Sequence, residues 1–372
     1  MSKKFLITIA TLLIIGLAAS LAIFLAKGYT FSSKEKRIVG TGILTVSSEP
    51  DSASVYLDGH LTTATNATVS SLAPKSYSVR IVKEGFIPWE KTVTIKESLV
   101  TPIKITLFPA IPTIYPLTFA GVANPLLSSD GGKLLYVVTA GKKAGVWVWG
   151  MGKNQPLSFA RNSEPHQIAS STVVDFSKAT FRWSPDSTQI LARLPAPERS
   201  DGGQATVGTT SYLLDSGQLN SEPQDITAVL QATLKAWDDD TKIKEDAKIN
   251  AIEDLGLRKI ASGAAVLRWS PDETKFMVSD EKIYDTKVVD QVYDLPKAKA
   301  HLWLPDSRHI ILVEENAISL VDYDGSNKAV IFAGSFLDGF VFPWPDSSRL
   351  VIINSLPTPT ASEPNLYGIN LK

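Results

Sequence analysis

The sequence predicts an all-β protein behind an N-terminal transmembrane helix: a small β-sandwich, then a five- or six-bladed β-propeller carrying a helical insertion. Three observations predict it. An uncharged run opens the chain from Phe5 to Ala26, strand-like alternations follow between Gly40 and Pro109, and a short turn-and-strand unit recurs from Leu127 onward.

The chain's 372 residues suffice for two or three domains of ordinary size. Its 37 basic and 38 acidic residues leave a formal net charge of -1. That balance argues against a general nucleic-acid binder, which would carry a basic excess, and leaves a local patch open. The absence of cysteine removes disulfides, thiolate metal sites, iron-sulfur clusters, Cys nucleophiles and lipidated cysteines.

The run Phe5 to Ala26 is bracketed by Lys3, Lys4 and Lys27. As a helix it would rise about 33 Å, enough to cross a bilayer. A cleaved signal peptide competes, with Ala18 and Ser20 as small residues near a cut. Apolar character continuing through Leu21, Ile23, Phe24 and Leu25 favours a retained anchor over residues 1–27. Lys27, Lys34, Lys36 and Arg37 outnumber Lys3, Lys4 and the amino terminus, which by charge alone keeps the body inside. A lone apolar segment this near the start reads instead as a retained export signal. The expectation is a single-pass protein of the cell membrane, in contact with lipid, its body extracytoplasmic. Residues 28–39 read as a polar linker.

Between residues 40 and 109 alternation marks strands at Ile43 to Val46, Ser54 to Leu57, Tyr77 to Val82, Lys91 to Ile95 and Ile103 to Leu107. Asp58-Gly59 supplies tight-turn chemistry, and Pro50-Asp51 and Ala73-Pro74-Lys75 mark two more reversals. The pattern Val46-Ser47-Ser48-Glu49-Pro50-Asp51-Ser52-Ala53, Val55-Tyr56-Leu57-Asp58-Gly59, Tyr77-Ser78-Val79 and Lys83-Glu84-Gly85-Phe86 with Trp89 resembles the PEGA domain. The namesake glycine is replaced by Ser52, and Lys75 stands where a turn glycine is common. The resemblance implies an all-β extracytoplasmic presentation or adhesion module. Phe86 and Trp89 are candidate ligand contacts for a sugar or peptide, against the plainer reading that both pack on the sheet.

From residue 110 onward a repeat dominates. Trp183-Ser184-Pro185-Asp186 with its following strand matches Trp269-Ser270-Pro271-Asp272, and looser copies surround Asp130, Trp303 with Asp306, and Trp344 with Asp346. Pro sets the first corner of a turn, Asp closes it with a side-chain hydrogen bond, and an apolar strand follows. Further strands at Val146 to Trp149, Tyr212 to Asp215, Lys282 to Asp285, Ile318 to Asp322 and Leu366 to Ile369 make each unit a small antiparallel sheet. Such sheets bury both faces only when stacked around an axis, which is a propeller. The motif resembles TolB-like and WD40-like blades. Five copies are legible, and a sixth could lie in the long gap after Asp186. The whole order resembles membrane-anchored PEGA proteins of bacteria.

That gap holds the insertion, about residues 222–258. Ile226, Val229, Leu230, Leu234 and Trp237 share one helical face with Asp225 as cap, and a second polar helix is expected from Lys242 to Leu255 with Gly256 as its stop. Leu234, Trp237, Asp238, Asp239 and Asp240 are candidate partner-docking residues.

No nucleophile elbow, zinc-helix, phosphate-loop or dinucleotide motif occurs, so no catalytic residue, cofactor or metal is expected. The acidic triplet Asp238 to Asp240 and the stretch Asp322 to Asn327 are the weak cation candidates; the second lacks the third ligand and distal Glu of a calcium loop. Asn66-Ala67-Thr68 fits a glycosylation acceptor. Two functions remain: a non-catalytic envelope protein binding a protein, peptide or glycan, or a propeller hydrolase with residues such as Glu164, Asp175, Glu198 and Asp338 converging from separate blades.

Overall fold

The computed structural model describes residues 3–26, 29–32, 37–152, 164–195, 209–337, 340–355 and 363–372. They fall into two compact units, Met1–Ile111 with Lys372, and Pro112–Leu371.

The first unit opens with α1 (Lys3–Ala26) and an antiparallel hairpin of β1 (Tyr29–Ser32) and β2 (Arg37–Gly40), within the span read as linker. The side chains described in α1 are those of residues 9–20. Such a stretch rises about 18 Å, short of the roughly 30 Å apolar thickness of a bilayer. Among the described residues no helix is long and apolar enough to cross a membrane. The transmembrane helix expected over Phe5 to Ala26 is corrected accordingly.

Two sheets then enclose one core. β3 (Gly42–Glu49) lies between β6 (Ala67–Leu72), antiparallel, and β9 (Val100–Thr106), parallel. The second sheet runs β5 (His60–Ala64), β4 (Ser54–Leu57), β7 (Ser76–Val82), β8 (Trp89–Thr94). Alternation drives this arrangement. Leu44 and Val46 of β3, Ile103 and Ile105 of β9, Val55 and Leu57 of β4, and Val79 and Ile81 of β7 all point into the shared core. β5 and β6 lack apolar alternation in sequence, because they are edge strands of Thr, Ser and Ala with mostly exposed side chains. Asp58 (φ 49) and Gly59 (φ 82) form the tight turn between β4 and β5. Lys75 Nζ donates to Asp58 Oδ2 at 2.6 Å, so the lysine has a turn-bracing role of its own.

The second unit is built from five four-stranded antiparallel sheets among the described residues. β10 (Ile114–Pro116) begins it. The first blade is β11 (Ala123–Leu127), β12 (Lys133–Val138), β13 (Gly145–Gly150) and β14 (His166–Ser170). The second is β15 (Thr180–Trp183), β16 (Gln189–Arg193), β17 (Ser211–Asp215) and β18 (Gln224–Asp225). After the helices α2 (Leu230–Asn250) and α3 (Leu255–Gly263) comes the third, β19 (Leu267–Trp269), β20 (Lys275–Val278), β21 (Lys282–Asp285) and β22 (Val288–Asp294). The fourth is β23 (Ala300–Trp303), β24 (His309–Val313), β25 (Ala317–Asp322) and β26 (Ala329–Ala333). The fifth is β27 (Val341–Pro343), β28 (Arg349–Asn354) and β29 (Asn365–Asn370). It takes its outer strand from the start of the unit, because β10 pairs antiparallel with β29 from Ile114 opposite Ile369. The start and the end of this unit are thus tied in one sheet, which closes the ring.

Each blade buries two faces. Leu135 of the first packs with Ile190, Ala192 and Leu214 of the second. Leu134 and Tyr136, pointing the other way, pack with Val351 and Ile353 of the fifth. Met277 and Ile283 of the third meet Ile310 and Leu312 of the fourth. Two helices stand between the second and third blades, bounded differently from the helices expected there. α2 is one helix of 21 residues preceded by a 3-10 turn at Thr227–Val229, not two helices. Asp225 Oδ1 accepts from the Thr227 amide in that turn rather than capping α2. Gly256 lies inside α3, whose cap is Asp254, Oδ1 accepting from the Leu257 amide at 2.8 Å.

Candidate functional site

The corner unit explains why the repeat has its residues. In the second blade the Ser187 amide donates to Ser184 O, closing a turn with Pro185 and Asp186 at its corners. Asp186 Oδ1 accepts from Ser184 Oγ at 2.6 Å and from the Thr188 amide at 3.1 Å, and Ser184 Oγ accepts from the Gln189 amide. These bonds to its charged form hold Asp186 down at about 2. The same set recurs around Asp130 and Asp272. Asp306 and Asp346 accept from the amides of Arg308 and Ser348. The fourth corner residue enters the left-handed region each time: Gly131, Ser187, Glu273, Ser307 and Ser347, all with φ between 58 and 70.

Corners also fasten neighbouring blades. Trp183 Nε1 donates to Leu126 O of the first blade, and Ser187 Oγ accepts from the Asp130 amide. Between the third and fourth blades Trp303 Nε1 donates to Arg268 O, and Ser307 Oγ accepts from the Asp272 amide. Trp344 departs from this scheme. It stands one residue nearer its aspartate, in the place of Ser184, and so points to the opposite face, edge-on to Trp149 of the first blade at 5.4 Å.

At the seam of the second and third blades, the helices occupy the place of a neighbouring sheet. Leu191 and Leu213 of the second blade pack on Ile226, Leu230, Leu234 and Trp237. Phe276, Val278 and Tyr284 of the third pack on Ile249, Ile252, Leu257 and Ala261. The blade fasteners are diverted to match. Trp269 Nε1 donates to Glu245 Oε1 of α2 at 2.6 Å, and Glu273, where the second, fourth and fifth corners carry Ser, pairs with Lys248 at 2.9 Å. Arg182 pairs with Asp238, and Lys244 donates to Pro185 O. The sixth blade sought in the long gap is therefore a helical sector. Glu273 at the corner adds to the long gap and the apolar helical stripe as a signal in the sequence for this seam.

The helices fill the sector less completely than a sheet. Trp183, Trp303 and Trp344 are 5 to 8% exposed, whereas Trp269 is only half-buried. It lines a cavity of about 450 Å³ together with Lys248, Ile252, Glu253, Lys287 and Val289. A second hollow of about 270 Å³ lies against Leu126, Phe181, Arg182, Trp183 and Thr241 of α2.

The remaining candidates are placed as follows. Trp89 is buried in the sandwich core with Phe86 packed against it, so both serve the sheet. Trp237 is buried on the second blade, Leu234 packs beside it, Asp240 pairs with Lys244, and Asp239 is exposed. Asp175 accepts from the Ser177 amide in the turn before β15, and Glu164 is exposed ahead of β14. Glu198 and Asp338 lie outside the described residues. Among the described residues no three His, Asp or Glu side chains converge as metal ligands would. In Asp322 to Asn327 the carboxylates accept from Ser326 and Asn327 within a turn.

The strongest electrostatic feature is buried in the fourth blade. His309, 3% exposed, has Nδ1 at 2.5 Å from Asp306 Oδ2 and Nε2 at 3.4 Å from Asp322 Oδ1. Burial opposes its charge, but the two carboxylates prevail and hold it up at about 9. Asp306 is pushed the other way, its burial outweighed by the imidazolium and the Arg308 amide. This group joins the two turns at one end of the blade.

The two units thus define a protein of sandwich and propeller. Residues 41–111 match the PEGA domain. Among solved structures the chain is similar to the putative TolB of Agrobacterium tumefaciens, at 16% identity over 64% of this chain and 76% of that one, with a TM-score of 0.22. TolB of Acinetobacter baumannii is 13% identical over 80% and 61% of the two chains, with a TM-score of 0.23. The propeller of the Trilobed protease of Pyrococcus furiosus is 14% identical over 68% and 70%, with a TM-score of 0.20. No curated protein matches the chain.

Proposed function

We propose that this is a non-catalytic binding protein of the cell envelope, working outside the cytoplasm, whose propeller takes a protein, peptide or glycan at the seam of α2 and the third blade. The half-buried Trp269 in a cavity of about 450 Å³ carries this reading. Indole surface left open beside convergent polar groups is the usual make-up of a recognition pocket. The shifted acids support it as well, since Asp130, Asp186, Asp272 and Asp306 are all consumed in corner hydrogen bonds. The PEGA domain is then a presentation module.

A photocrosslinking residue placed at Lys287 in the full chain tests this in intact cells. The expected outcome is a discrete adduct that is absent when the crosslinker sits at exposed Val330 of the fourth blade instead. Equal, diffuse labelling from both positions would count against a seam ligand.

A further inference from the structure

We infer that the cavity beside Trp269 binds a neutral saccharide. The inference rests on the binding reading above and names its ligand class. Three properties of the cavity lead to it.

The first is the origin of its aromatic wall. Trp183 and Trp303 are covered by the sheet before them; here α2 replaces that sheet, takes the indole N–H through Glu245, and leaves ring surface facing the cavity. The C–H face of a pyranose fits such a surface, where apolar contact needs no further hydrogen bond.

The second is charge. The wall carries two ammonium groups, Lys248 and Lys287, and two carboxylates, Glu253 and Glu273, so it sums to zero. Lys248 and Glu273 neutralise each other in an ion pair at 2.9 Å. Lys287 and Glu253 make no ion pair among the described residues and are exposed. A wall that sums to zero offers neither an anion nor a cation a net attraction. A polyhydroxylated neutral ligand meets one free donor and one free acceptor, and every hydroxyl can serve as either.

The third is size. A volume of about 450 Å³ lies in the range of small-ligand pockets and takes one or two sugar rings.

The test uses the purified full chain with maltose, cellobiose and N,N′-diacetylchitobiose as neutral probes, glucuronic acid as the anionic one, and a capped tetra-alanine peptide. Binding is read by titration calorimetry and saturation-transfer NMR. At least one disaccharide is expected to saturate, and Glu253→Ala and Lys287→Ala should each weaken it at least tenfold. Both side chains are exposed, so an unchanged thermal midpoint shows that the fold is retained. Glucuronic acid should bind at least tenfold more weakly. Binding that ignores both substitutions, or that favours glucuronic acid, overturns the inference. So does the absence of saturation by every disaccharide. If the peptide binds, or if the Lys287 crosslinker still captures a specific partner, only the saccharide assignment falls. If neither happens, the binding reading falls with it.

Discussion

Replacing His309 by Gln removes the one buried cation of the fourth blade's turn group and leaves the shape of the site nearly intact. In the folded chain this imidazole holds its proton up to about 9, against an ordinary value of 6.5. Between those limits the folded state binds a proton that the unfolded chain has released. Stability is therefore fully present below about pH 6.5 and falls as pH rises through 9. At about 1.4 kcal/mol per unit, the whole loss is about 3 kcal/mol. Urea denaturation at several pH values in this window, followed by tryptophan fluorescence, should show the midpoint declining steadily in the native chain. His309→Gln should unfold earlier at neutral pH, by about 3 kcal/mol, because Asp306 and Asp322 keep their burial and lose their cation. Its stability should then be flat across the same window. With only four histidines in the chain, an NMR titration reads the site directly. A native midpoint that does not move with pH, or a variant that keeps the native slope, would refute the electrostatic account.

Other consequences follow from the same geometry. Ser307→Ala should cost about 1 kcal/mol in thermal or urea stability, since the Asp272 amide loses its acceptor. Glu273→Ser should restore no inter-blade bond, because the neighbour there is α2, and should remove only an exposed pair worth at most about 1 kcal/mol. Gly145→Ala should be severely destabilising, because φ is 147 and a Cβ would lie 2.1 Å from Ala169 O. Gly59→Ala, at φ 82 but in open space, should cost about 1 kcal/mol by the same assay. Leu191→Ala should cost about 3 kcal/mol, and hydrogen exchange should show the loss concentrated in α2, which packs on that residue.

Much of this architecture is written in local chemistry. Period-two alternation marked β3, β4 and β7 because their inward residues must be apolar for the sandwich to exist at all. The Trp-Ser-Pro-Asp corners are legible for a similar reason. The proline, the aspartate and the left-handed fourth residue are required by bonds spanning no more than five residues. β5 and β6 escaped notice because edge strands bury little, so backbone pairing rather than side-chain pattern defines them.

What lay beyond sequence reasoning was decided by which surfaces meet. An apolar stripe on α2 says that the helix must be covered, but not that the cover is the second blade's free face. Asp225 and Gly256 carry the chemistry of helix ends, yet packing against Leu191 and Phe276 set where the helices begin and stop. The half-buried Trp269 has the same local motif as Trp183; its openness arises from a helix standing where a sheet would be. Turn geometry depends on neighbours in the chain, whereas a cavity depends on neighbours in space, and only folding brings those together.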